Sequence, residues 1–99
     1  MLIQYTDAEG DIIPDNLAVI TTANVMSGCS PIQLVVRDDE ADWQFLPDVD
    51  DINKETPLLV AIHRIISLDN SIIKILHMEC GKRAWRASIE DDWQIDNYE

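Results

Sequence analysis

Three groups of residues in this chain have the types and spacings from which chemistry is built. Asp48, Asp50 and Asp51 alternate as the opening carboxylates of a calcium loop do. An EF-hand also needs Gly at its sixth position and a bidentate Glu at its twelfth; counting from Asp48, those positions hold Asn53 and Leu59. A solvated acidic loop is the better reading. His77 and Cys80 stand i, i+3, but a zinc site usually has a second close pair, and Cys29 and His63 are isolated in the sequence. Asp38 and Asp39 are adjacent acids that would need a pocket for acid–base work, and their setting reads as a turn. No serine lies in a G-x-S-x-G elbow, and three scattered glycines build no phosphate loop. The sequence therefore assigns no catalytic residue, no metal ligand and no cofactor, and a protein that is not an enzyme is expected.

Charge sets the next bound. Nineteen acids against seven bases give a net charge of −12. Nucleic-acid affinity rests on neutralising phosphates with Lys and Arg, so that partner is excluded, and an anionic membrane surface is disfavoured for the same reason. A basic protein partner fits the charge. No apolar run approaches a membrane span and no leader pattern opens the chain, so a cytoplasmic location is expected. Cys29 and Cys80 form no disulfide framework and are expected to be reduced and buried as small hydrophobes. Ninety-nine residues, 46% of them hydrophobic, suit one domain over 1–99, with 1–16 a candidate for loose order.

The elements that must position these residues come from hydrophobic period. Leu17–Thr21 reads as a short strand, followed by a helical turn in TTANVMSG that Gly28 ends. Ile32–Val36 is the clearest strand, expected inside the sheet, and Trp43–Leu46 returns beside it as a hairpin across the acidic tip Asp38–Asp42. Trp43 and Phe45, two apart, point to one side. Leu58, Leu59, Ile62, Ile65 and Ile66 fall at helical spacing, although Leu58–Ile62 would also suit a strand. Asp69 is placed to cap a second short helix that packs through Ile72, Ile73, Ile75 and Leu76. Gly81 resets the backbone before KRAWRAS and DDWQI, read as a final strand pair with Trp85 and Trp93 available to the core. Alternation puts Arg83 and Trp85 on one side and Arg86 on the other, where it would pair with an acid or stack on Trp43 or Trp93. The expected fold is α+β, a small antiparallel sheet packed against two short helices.

The stretches TTANVMSGCSPIQLVVRDDEADWQFL, LLVAIHRIISLDNSIIKIL and GKRAWRASIEDDW are together similar to a family of small bacterial proteins of unknown function, which resembles the immunity-protein domains found near polymorphic toxins. Arg37, Trp43, Phe45, Leu46, Asp69, Gly81, Ala84, Arg86 and Trp93 carry the match, and the first twenty residues lie outside it. The chain departs from the pattern with Asn70 in place of a proline, and with Ala41-Asp42 in place of a glycine before the tryptophan. The resemblance implies a shared fold, defined by Trp43, Phe45, Asp69, Gly81, Arg86 and Trp93, and a toxin as partner, which the charge of the chain would require to be basic. It supplies no catalytic residue.

Three functions are weighed. The first is a protein-binding domain whose acids Asp38, Asp39, Glu40, Asp42, Asp48, Asp50 and Asp51 meet a basic partner. The alternative is a small-molecule-binding or enzymatic domain with a pocket lined by Trp43, Trp85 and Trp93. The third is a homodimer formed by an exposed sheet edge pairing with its own copy.

Overall fold

The computed structural model describes residues 5–47 and 56–98; Asp48, Asp50 and Asp51 lie outside them. A two-stranded hairpin, β1 (Tyr5–Thr6) and β2 (Ile12–Ile13), precedes the main sheet and buries Ile13. Then come β3 (Ala18–Thr22), β4 (Leu34–Arg37), β5 (Trp43–Leu46), β6 (Pro57–Ala61), β7 (Lys82–Trp85) and β8 (Gln94–Asn97), ordered β6-β3-β5-β4-β7-β8 among the described residues. Every pairing is antiparallel except β3 with β5, which run parallel. Thr21, buried at that seam, donates from Oγ1 to the Phe45 carbonyl at 2.7 Å. As expected, β4 is interior, flanked by β5 and β7.

Side-chain alternation and register divide the sheet into two faces. Val19, Val35, Trp43, Phe45 and Ala84 cluster with the buried helical residues Val25, Ile62, Ile65, Ile72 and Ile75. The Val35↔Phe45 and Val35↔Ala84 pairs place one row of these across three strands. The opposite row runs Leu59, Ile20, Gln44, Val36, Arg83 and Asp96.

Three short helices among the described residues cover the core face: α1 (Ala23–Met26), α2 (Ile62–Leu68) and a 3-10 helix over Asn70–Ile75. Each solves its unsatisfied first amides differently. Thr22 Oγ1 accepts from the Val25 amide, and Asp69 Oδ1 accepts from the Ser71 amide, both as N-caps. The start of α2 has no capping side chain; the amides of Ile62 and His63 donate instead to the carbonyls of Leu17 and Asp15. None of these helices is long and apolar enough to cross a membrane.

The α+β class is therefore observed, while the expected small antiparallel sheet with two helices is coarser than the molecule. Two local expectations are corrected. Leu58–Ala61 belongs to strand β6, not to the helix, because its backbone pairs with Ala18–Thr21 of β3; helical spacing begins to hold only at Ile62. Cys29 and Cys80 are free and exposed, not buried.

Candidate functional site

Two arginines, Arg86 and Arg37, are buried, and each organises a polar network. Arg86 continues from β7 onto the core side. Its Nε and Nη2 donate to the Ile32 carbonyl at 3.1 and 2.9 Å, Nη1 donates to Ser71 Oγ at 2.8 Å, and Nη2 also donates to Asp69 Oδ2. Its guanidinium lies 4.1 Å from the Trp93 ring centroid, and the Trp93 indole N–H donates to Ser71 Oγ at 3.2 Å. Burial works to raise the Asp69 pKa, but the Ser71 hydroxyl and amide and the Arg86 guanidinium hold the carboxyl below its ordinary value. Asp69 thus does two jobs: it caps the 3-10 helix with one oxygen and pairs Arg86 with the other.

Arg37, at the end of β4, donates from Nη1 and Nη2 to the two oxygens of Glu9 and from Nη1 to the Met78 carbonyl, while its guanidinium lies 5.2 Å from the Trp43 centroid. Its Nε has no partner among the described residues. Glu9 sits in the β1–β2 turn, so this pair fastens the N-terminal hairpin to the sheet. Both networks assemble groups far apart in sequence, and each sets a hydroxyl or thiol beside a carboxylate: Ser71 Oγ donates to Asp69 Oδ1 at 2.7 Å, and Cys80 Sγ to Glu9 Oε1 at 3.8 Å.

The acidic hairpin tip has a defined internal order. Asp38 Oδ1 accepts from the Glu40 and Asp42 amides at 2.9 and 3.0 Å, so Asp38 shapes the turn. Asp39, Glu40 and Asp42 are exposed, and no cation pairs with them among the described residues. Asp39 also lines a notch of about 310 Å³ with Gly81, Asn97 and Tyr98. At the other end of β4 a cleft of about 650 Å³ is lined by Val25 of α1, Gly28 just beyond it, Ser30–Gln33, Leu68 and Asp69 at the end of α2, and Ala87–Ile89 after β7. No local motif could have disclosed that cleft, because four separate segments build it.

The residues that the resemblance names as fold-defining take the following places. Trp43 and Phe45 are buried with stacked rings 5.9 Å apart, Asp69, Arg86 and Trp93 share one network, and Gly81 adopts φ +79° under Asp39. The three-tryptophan pocket does not form. Trp43 faces the core, whereas Trp85, opposite Leu34, stands on the other face of the sheet at 42% exposure and donates its indole N–H to Asp96. The expectation that Trp85 enters the core fails because it directly follows Ala84 of the inward row, and strand alternation turns it to the opposite face. Comparison of the chain with protein-family models, with curated proteins and with solved structures returns no match.

Proposed function

We propose that the chain is a non-enzymatic protein-binding domain that captures a basic protein, as an immunity protein masks a toxin in the cytoplasm. The observation that carries this reading is how the charges are spent. Arg37, Arg83 and Arg86 are engaged by Glu9, Asp96 and Asp69, and Lys82 by Asn97, so most of the few bases serve the fold. The acids Asp39, Glu40 and Asp42 stand exposed without such partners among the described residues. A net charge of −12 accelerates encounter with a basic surface and makes it sensitive to salt.

The test is capture of the product of the neighbouring gene. A basic partner should be retained at low ionic strength, released near 1 M salt where the Debye length is about 3 Å, and bound more weakly after Asp39→Lys with Glu40→Lys. Equal retention by that double variant, or no capture at low salt, would count against the reading.

A further inference from the structure

The 650 Å³ cleft has the size of a side-chain or small-ligand pocket, which run from about 300 to 1,000 Å³. Val25 and Ile32 give it a buried apolar floor, while Leu68 and Ile89 stand 44% and 64% exposed in its lining. A carboxylate stands beside it: Ser88, a lining residue, donates from Oγ to Asp91 Oδ2 at 3.3 Å and accepts the Glu90 amide on the same oxygen. Among the described residues no lysine or arginine is in the lining, and the nearby Arg86 side chain is 1% exposed and already shared by Asp69, Ser71 and the Ile32 carbonyl. Anionic ligands are therefore repelled, and an apolar group carrying positive charge beside it is favoured.

We propose that this cleft seats an apolar side chain of the basic protein partner, with a neighbouring lysine or arginine of that partner set against Asp91; the proposal rests on the reading of the chain as a binder of a basic protein. Interface energy concentrates in such filled, desolvated pockets, whereas rim charges contribute mainly to rate and orientation. The cleft and the hairpin tip lie at opposite ends of β4, about 20 Å apart for six extended residues, which a standard interface of about 800 Å² per partner can span.

The experiment is an amide NMR titration of the whole chain with two synthetic peptides, acetyl-KKWKK-amide and acetyl-KKGKK-amide. The tryptophan peptide should shift the amides of Ser30, Gln33, Leu68 and Ser88 and bind about tenfold more tightly than the glycine peptide. Ile89→Arg, and separately Leu68→Arg, should erase that difference without loss of spectral dispersion, since both side chains are substantially exposed. Equal affinities with shifts confined to Asp39–Asp42 would overturn the cleft and leave the acidic reading standing. No shift with either peptide would overturn both.

Discussion

Arg86 and Trp93 meet face to ion, the guanidinium 4.1 Å from the ring centroid, and the same guanidinium reaches Asp69 and the Ile32 carbonyl. One side chain thereby ties the end of β7 to the segment before β4 and to the junction between α2 and the 3-10 helix. Arg86→Ala would strand a partly buried carboxylate and a carbonyl, and is expected to cost about 3 kcal/mol. Arg86→Lys should recover little, because an ammonium cannot reproduce the fork or its stacking. Urea unfolding of both variants checks this; a lysine variant as stable as the parent would show that charge alone sustains the junction.

Acid should weaken the same junction. The folded pKa of Asp69 lies below its unfolded value of about 3.9, so its contribution is fully present above that value and is lost as the pH falls through the folded one. The stability gap between the parent and Asp69→Asn should hold steady from neutral pH to about pH 5 and then narrow. Asp96 is shifted the same way by hydrogen bonds from Arg83 and Trp85. It lies on the surface, so moderate salt should damp its share and spare that of Asp69. A gap that is constant to pH 2 would remove Asp69 from the account of acid unfolding.

Trp43 and Trp85 should differ sharply. Trp43 is buried, stacked on Phe45 and capped by Arg37, so Trp43→Ala is expected to cost about 3–5 kcal/mol. Trp85, on the outer face, should cost no more than about 1 kcal/mol. Thermal melting of the two variants side by side decides between them. Similar losses would mean that the outer face is covered in solution.

The contrast between these tryptophans also marks what the chain discloses before it folds. Local signals are legible: the Asp69 cap, the shared side of Trp43 and Phe45, and the opposition of Trp85 and Arg86 all follow from spacing over a few residues. Arg86, expected to pair with an acid or to stack on Trp43 or Trp93, meets both Asp69 and Trp93. What failed depended on distant backbone. Leu58–Ala61 has an apolar pattern compatible with helix or strand, and pairing with β3 decides it. Which row of β7 faces inward is likewise set by the neighbouring strands, and the parallel β3–β5 seam and the four-segment cleft leave no local trace.

The departure from glycine at the hairpin tip makes the last prediction. Ala41 sits at φ +68°, in the left-handed region where an L side chain costs about 1 kcal/mol. Ala41→Gly should relieve that strain and, after the extra freedom glycine gains in the unfolded chain, stabilise by a few tenths to about 1 kcal/mol. Gly81→Ala should act in the opposite sense, because at φ +79° its new Cβ would also lie 3.1 Å from Asp39 Oδ1. Urea midpoints that shift in opposite directions with an unchanged slope would establish both. Since Ala41→Gly leaves the carboxylates of Asp39 and Glu40 in place, it should keep the salt-dependent capture of a basic partner that the charge reversals weaken. A glycine variant less stable than the parent would mean that the tip takes another conformation in solution.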